Sequence, residues 1–160
     1  MQRKEFKKMQ LKKLLETIDY TEITNRSGMD VNSIKIEKIC SHSNDANNDC
    51  VFVCIAGSLV DSHDSKYVSV AYGKGCRIFV VQKSIDVPDD AFVITVKDTR
   101  IALAQLSAAF FDNPASKMTL IGITGTKGKT TSSLLIYNVL KGLVGCRPWG
   151  HTESDTTEVT

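Results

Sequence analysis

Residues 119–131, TLIGITGTKGKTT, constrain this chain more than any other part of its sequence. The turn and the residues that follow it are Gly125, Thr126, Lys127, Gly128, Lys129, Thr130 and Thr131. The order of residue types predicts a strand, a glycine turn and a helix start. Such a turn directs backbone N–H groups and the positive end of a helix dipole towards one point, which suits a phosphate. The stretch therefore predicts a nucleotide triphosphate site, with Lys129 on the terminal phosphates and Thr130 near a magnesium ion.

The general phosphate-loop pattern is imperfect in this chain. That pattern has a glycine five residues before Gly128, where this sequence has Ile123, and the nearest glycine is Gly122. A glycine turn with a lysine can also simply join a strand to a helix. The predicted strand before the turn and the hydroxyl residues around Lys129 favour the phosphate interpretation over this simpler one.

Composition is that of an ordinary globular protein. The 160 residues are 42% hydrophobic and 24% charged, enough for one domain or for a domain and part of another. Lysine and arginine concentrate in residues 1–13, but neither an apolar targeting segment nor interleaved aromatic residues accompany them. No apolar run approaches the roughly 18 residues that a membrane span needs. We therefore expect no nucleic-acid partner and no membrane segment.

Cysteine usage indicates a reducing compartment. The five cysteines are Cys40, Cys50, Cys54, Cys76 and Cys146, an odd number without CxxC spacing. On a strand, Cys50 and Cys54 would lie on one face as small core residues. Neither their spacing nor a nearby histidine pair matches a zinc pattern. We expect a cytoplasmic protein without a cysteine metal site.

Helical and strand patterns alternate along the chain. They predict helices at 11–18, 64–75, 98–111 and 130–140, and strands at 51–57, 77–81, 91–96 and 118–124. The helix at 98–111 is the clearest, with Asp98 as its N-cap and Pro114 preventing its continuation. Its predicted apolar face comprises Ile101, Ala104, Ala108 and Phe111, and that of the helix at 64–75 comprises Tyr67, Val70 and Ala71. This alternation predicts an α/β protein of two units that meet at the proline loop.

Three stretches together resemble the Mur ligase family, the ATP-dependent enzymes that add amino acids to the bacterial cell-wall precursor. LIGITGTKGKTT is similar to the family's GTxGKT(T/S) loop. CSHSNDANNDCVFVCIAGSLVDSHD resembles its N-terminal signature, a D-S-R triplet followed by G-D-L-F-V-A and D-G-H-D. DTRIALAQLSAAFFDNPASKMTLIGITG is similar to the join between N-terminal and central domains in the member that adds meso-diaminopimelate or lysine. The member that adds D-Ala-D-Ala shares the N-terminal signature and stays an alternative.

The resemblance, which covers about residues 9–140, assigns roles to individual residues. It places ATP phosphates on residues 125–131, with Lys129 as the catalytic residue on the β- and γ-phosphates and Thr130 near magnesium. Ser43 corresponds to the serine of the D-S-R triplet and would bind the UDP end of the substrate. His42 and Asn44 stand where the triplet has Asp and Arg, and Ser62 replaces the glycine of D-G-H-D. Without the resemblance, Ser43 would be an ordinary serine in a turn-rich stretch.

The resemblance also implies a domain organisation. Residues 1–10 would be an N-terminal extension, 11–114 a small α/β UDP-binding substrate domain, and 115–140 the first strand, phosphate loop and helix of a truncated Mur-type ATPase domain. Residues 141–160 are polar and threonine-rich, without a family counterpart, and we expect them to be disordered. The acidic magnesium ligand, the carbamylated lysine and the amino-acid site of the family have no counterpart here. We therefore expect no ligase activity from the chain as given.

In the implied reaction, ATP phosphorylates the carboxylate of UDP-N-acetylmuramoyl-L-alanyl-D-glutamate, and the amine of a diamino acid then displaces phosphate. The expected partners are these small molecules, and the expected state is a cytoplasmic monomer. A non-catalytic module that binds a nucleotide or a UDP-sugar is the alternative from another functional class. Folylpolyglutamate synthetase has a similar phosphate loop but lacks the N-terminal signature, which makes it a weaker third interpretation.

Overall fold

The computed structural model describes residues 8–26, 28–57 and 60–143. The chain forms two compact units, with the boundary between Lys117 and Met118. Most of the predicted N-terminal extension, Cys146 and nearly all of the predicted tail lie outside the described residues. Their expected structures stay predictions, as do the functional assignments of the predicted domains.

A mixed five-stranded sheet forms the centre of the first unit. Its strands are β2 (Tyr20–Asn25), β4 (Lys38–Cys40), β5 (Cys50–Val53), β6 (Ile78–Val81) and β7 (Phe92–Val96), in the spatial order β2-β7-β6-β5-β4. Strands β4 to β7 are parallel, and β2 pairs antiparallel with β7 at one edge. A separate antiparallel pair joins β1 (Met9–Gln10) to β3 (Lys35–Ile36).

Helices cover both faces of this sheet. They are α1 (Leu11–Leu15), α2 (Ser65–Gly73) and α3 (Thr99–Phe110). Alternate residues of a strand point to opposite faces, so Val51 and Val53 join the core under α1 and α3, whereas Phe52 joins the core under α2. Cys50 and Cys54 lie fully buried beside Phe52, which confirms their prediction as core residues on one face. The unit is thus an α/β fold, as predicted, with a helix layer on each face.

Most predicted elements of the first unit are present, with shorter bounds. The strand at 51–57 becomes β5, and the helices at 64–75 and 98–111 become α2 and α3. Strands β1, β2, β3 and β4 were not predicted from the sequence. The β2 sequence YTEITN has few apolar residues and no fully buried one, so its strand conformation depends on pairing with β7.

The predicted apolar face of α3 is wrong, because none of its predicted residues is buried. Its buried residues are Ala102, Leu106, Ala109 and Phe110, together with Thr99. Ile101 and Phe111 of the predicted face are 58% and 64% exposed. Apolar residues occur nearly all round this helix, so spacing alone does not select the side that the sheet covers. In α2, similarly, Val68 and Ala71 are buried, whereas the predicted Val70 is exposed.

The described part of the second unit contains one regular element, the helix α4 (Lys129–Lys141). The strand predicted at 118–124 is wrong, because these residues form no strand in the structure. Leu120 and Ile121 are 68% and 56% exposed. A strand requires a hydrogen-bonded neighbour, and residues 118–143 supply none. The predicted helix start after the glycine turn is confirmed, one residue earlier than expected.

Candidate functional site

A pocket of about 480 Å³ opens in the first unit beside the loops that follow the parallel strands β4 and β5. It is lined by Ser41, His42, Ser43, Asn44, Ile55, Val60, Ser62, Tyr67, Arg100 and Leu103. The first four residues follow β4, the next three follow β5, Tyr67 lies on α2, and the last two lie on α3, which follows β7. Ligands of open α/β sheets bind at this edge, outside the carboxyl ends of the strands.

The loop after β4 brings Ser43 into the pocket. Ser43 is half-buried and begins a short 3₁₀ helix, Ser43–Asp45, which a hydrogen bond from Ala46 N to Ser43 O closes (3.3 Å). Lys74 Nζ at the end of α2 donates to Asn44 O (2.5 Å), and Lys38 Nζ of β4 donates to Asp45 O (3.0 Å). The loop is therefore fixed by side chains from two neighbouring elements.

A glycine at the end of α2 lets this loop approach closely. Gly75 has a φ of +96°, a conformation that side chains disfavour. A Cβ atom at this position would lie 2.5 Å from Asn48 Oδ1. A side chain at residue 75 would therefore strain the backbone and displace the Asn48 side chain.

The loop after β5 forms the opposite wall of the pocket. Ser62 N donates to Ile55 O (3.0 Å) and closes the loop at its base. A Cβ atom on Gly57 would lie 2.2 Å from Val60 O, so only glycine fits this turn. Ile55 and Val60 give the wall an apolar surface.

A buried histidine holds the end of this loop against β6. His63 is 6% exposed, and its Nε2 accepts a hydrogen bond from Gln82 N (3.1 Å). The other ring nitrogen, Nδ1, lies 2.7 Å from Asp61 Oδ1 and so carries the proton that it donates. The second oxygen of Asp61 accepts a hydrogen bond from Lys83 Nζ. First this lysine, and then the backbone N–H of His63, hold the pKa of the Asp61 carboxyl well below its usual range.

Helix α3 contributes Arg100 to the pocket from its first turn. Asp98 caps the helix as predicted, because its Oδ1 accepts hydrogen bonds from Arg100 N (2.7 Å) and Ile101 N (3.1 Å). The guanidinium Nη2 of Arg100 donates to Ala56 O in the loop after β5 (3.2 Å). Thr99 N and Oγ1 both donate to Gln82 Oε1, at 3.2 and 2.9 Å, which ties the start of the helix to the residue after β6.

The predicted phosphate loop lies in the second unit and is built by adjacent residues. Gly128, the residue before α4, has a φ of +79°. This left-handed backbone conformation favours glycine. Lys129 Nζ donates to Gly125 O (2.9 Å), so the lysine side chain folds back over the turn. Thr130 is half-buried, and the other residues of 125–131 are exposed. The geometry matches the predicted glycine turn at a helix N-terminus.

The structure places the predicted Ser43 in the pocket, together with His42, Asn44 and Ser62, which the family pattern had marked as departures. The other pocket residues were not proposed as site residues from the sequence. Arg100 could have been found from its position two residues after the predicted N-cap, just past a predicted buried strand. Tyr67 was assigned to a helix face rather than to the pocket. In the described residues, no group of three His, Cys, Asp or Glu side chains could hold a metal, and no helix is long and apolar enough to cross a membrane.

A parallel sheet with a pocket at its carboxyl edge, and a glycine loop before a helix, are features of nucleotide-binding α/β proteins. No protein-family model matches the chain. Two relatives are both named UDP-N-acetylmuramoyl-L-alanyl-D-glutamate--2,6-diaminopimelate ligase. The one from Clostridium perfringens is 38% identical over 143 residues, covering 86% of this chain and 28% of the relative. The one from Alkaliphilus metalliredigens is 35% identical over 160 residues, covering 95% and 31%. The chain belongs to the Mur ligase family, whose N-terminal part it resembles.

Solved structures show the same fold. MurF from Acinetobacter baumannii superposes with a TM-score of 0.63 over 84% of this chain and 28% of that chain, at 24% sequence identity. At this identity the likeness establishes the fold and leaves the substrate open. The chain spans less than a third of the length of the curated relatives that it matches.

Proposed function

We propose that the chain is the N-terminal part of a ligase that adds a diamino acid to UDP-N-acetylmuramoyl-L-alanyl-D-glutamate in peptidoglycan synthesis. The observation that carries this proposal is the 38% identity to a relative named for this substrate and for 2,6-diaminopimelate. The D-alanyl-D-alanyl ligase from Acinetobacter baumannii has a lower identity, 24%. The names of the relatives support 2,6-diaminopimelate as the diamino acid.

The pocket of the first unit would bind the UDP end of this substrate. Ser43 supports this role because its half-buried hydroxyl lines the pocket on a loop that Lys74 and Lys38 fix in place. Ile55 and Leu103 provide apolar surface, and Ser41 and Ser62 provide hydroxyl groups. A mainly apolar pocket with a few polar groups suits a nucleoside with a charged extension.

The loop at residues 125–131 would hold ATP, and its conformation fits a phosphate chain. Gly125 and Gly128, with φ values of +152° and +79°, bring backbone N–H groups to the start of α4. Lys129 would release Gly125 O and neutralise the β- and γ-phosphates, and Thr130 would offer its hydroxyl to a magnesium ion. ATP supplies the phosphoryl group that activates the substrate carboxylate.

We further propose that the protein works in the cytoplasm as a monomer. The four cysteines of the described residues, Cys40, Cys50, Cys54 and Cys76, are all buried with free thiols. Burial raises the pKa of Cys54 to about 12, so its thiol stays protonated at neutral pH. Unpaired core thiols support a reducing compartment.

Calorimetric titration of the 160-residue chain with UDP-N-acetylmuramoyl-L-alanyl-D-glutamate tests the substrate assignment. We expect binding, and we expect Ser43→Ala to weaken it by about 1 kcal/mol, or roughly fivefold, the usual net value of one hydrogen bond. Ser69→Ala is the matched control, because the Ser69 hydroxyl bonds Ser65 O on the exposed surface of α2, outside the pocket. Unchanged affinity in Ser43→Ala would remove Ser43 from the site, and absence of binding by the unmodified chain would contradict the proposed function.

A further inference from the structure

The pocket of the first unit is electrostatically one-sided. Of the ten described residues that line it, only Arg100 carries a permanent charge, and none is an aspartate or glutamate. Asn44, on the opposite loop, is neutral. A guanidinium without a carboxylate partner in the same pocket attracts an anionic ligand. The charge of this pocket thus selects a negatively charged group, independently of the sequence relatives.

At the start of α3, the arginine side chain rather than the backbone N–H groups is available to bind an anion. Helix N-termini often bind anions through their first backbone N–H groups. Here the carboxylate of Asp98 already accepts hydrogen bonds from Arg100 N and Ile101 N. The backbone donors of this turn are therefore occupied by an internal anion, and an external anion must be recognised by the guanidinium.

Arg100 is also held in position to do so. Its Nη2 donates to Ala56 O (3.2 Å), which fixes the guanidinium to the loop after β5. Among the described residues this carbonyl is the one hydrogen-bond acceptor of the guanidinium. An arginine presents five N–H donors in a planar fork, so several remain for a ligand. The fork matches two oxygens of a phosphate group in a bidentate contact.

We propose that Arg100 binds the diphosphate of the UDP-sugar in this pocket. The inference rests on the proposed function for the identity of the nucleotide, whereas the anionic character of the ligand follows from the pocket itself. The diphosphate would contact Arg100 at the start of α3. The uncharged remainder would lie along Ser43 and the apolar wall of Ile55, Val60 and Leu103.

Binding of uridine, UMP and UDP to the full 160-residue chain separates the phosphate contact from the nucleoside contact. All proteins in this series should carry Lys129→Ala, so that the loop at residues 125–131 does not contribute phosphate binding. In Arg100→Gln we expect the UDP affinity to fall about tenfold and the uridine affinity to stay within twofold, because the charge-assisted contact is lost. Arg100→Lys should recover part of the UDP affinity, since a lysine keeps the charge without the fork.

Arg26→Gln is the matched control. Arg26 is an exposed arginine that pairs with Asp89 and does not line the pocket, so its loss changes net charge equally and should leave UDP affinity unchanged. Raising the salt concentration should weaken UDP binding in the Arg26→Gln protein and have little effect in Arg100→Gln.

Each outcome decides between the two proposals. An equal loss of uridine and UDP affinity in Arg100→Gln would mean that Arg100 only shapes the pocket, and an unchanged UDP affinity would exclude its contact with the diphosphate. Both results would overturn the inference while leaving the proposed function intact. If the Lys129→Ala chain binds neither UDP nor UDP-N-acetylmuramoyl-L-alanyl-D-glutamate, the substrate site itself is wrong, and the proposed function fails with it.

Discussion

Helices α3 and α4 are nearly equal in length, with 12 and 13 residues, but their environments differ. Leu106 and Phe110 of α3 are 2% and 5% exposed against the sheet. Leu135 and Val139 of α4 are 63% and 67% exposed, and α4 has no buried residue. Both helices carry apolar residues at helical spacing, so sequence pattern alone does not distinguish a packed helix from an unpacked one. Burial depends on which elements are available to cover the helix.

The two candidate sites also differ in how much they depend on the rest of the fold. The glycine loop before α4 is made by seven consecutive residues, and its one side-chain hydrogen bond, from Lys129 to Gly125 O, spans four residues. The pocket of the first unit collects residues from Ser41 to Leu103, which meet only when four parallel strands are in register. Local geometry can therefore form without a core, whereas the pocket requires the complete sheet.

The largest effect should come from a matched pair of leucine truncations. Leu106→Ala removes a buried side chain from α3 and leaves a cavity, so we expect the free energy of unfolding of the first unit to fall by about 3 kcal/mol. Leu135→Ala makes the same chemical change on the exposed α4 and should alter that free energy by less than about 0.5 kcal/mol. Urea denaturation followed by far-UV circular dichroism measures both. Comparable losses in the two variants would show that α4 is packed in solution.

A smaller effect should come from the helix caps. Asp98 caps α3 with its carboxylate, whereas the N-cap of α4 is Gly128, which has no side chain to accept a hydrogen bond. Asp98→Ala should lower the stability of the first unit by about 1 kcal/mol, because two N–H groups lose their acceptor. Asp98→Asn keeps an acceptor and should retain most of that stability. Equal thermal shifts in the two variants would show that charge or packing, rather than capping, is responsible.

Local signals in the sequence predicted the elements whose conformation is decided locally. The cap at Asp98, the end of α3 before Pro114 and the glycine turn before α4 are all present. The sequence also indicated β5, because an uninterrupted apolar run suits a strand that is buried on both faces.

Non-local features escaped prediction for a physical reason. Strand β2 exists because β7 offers it a hydrogen-bonding edge, and the predicted strand at 118–124 fails because residues 118–143 offer none. Arg100 enters the pocket because β7 places the start of α3 beside the loop after β5. The spacing of nearby residues does not predict any of these features. The register of the sheet determines them.

The smallest effect that we expect is a pH dependence specific to the first unit. Residues 118–143 contain no aspartate or glutamate, so acid titration of side-chain carboxyl groups in the described chain acts on the first unit alone. Asp61 should contribute to it, because Lys83 and then the backbone N–H of His63 hold the pKa of its carboxyl below the usual value in the folded state.

A carboxyl whose pKa is lower in the folded state stabilises the protein above the unfolded-state pKa of about 4, and this contribution is lost as the pH falls towards the folded-state pKa. The free energy of unfolding should therefore fall more steeply between about pH 5 and pH 3 in the unmodified chain than in Asp61→Asn. Lys83→Gln should reduce the slope as well, because it removes the main cause of the lowered pKa of Asp61. Asp86→Asn is the control, because it changes an exposed carboxylate in the segment before β7. Asp30 and Asp90, whose pKa values also lie below the usual range, are present in all of these proteins and cancel in the comparison. Identical slopes in the unmodified chain and Asp61→Asn would show that the Asp61 carboxylate does not contribute to the pH dependence of the free energy of unfolding.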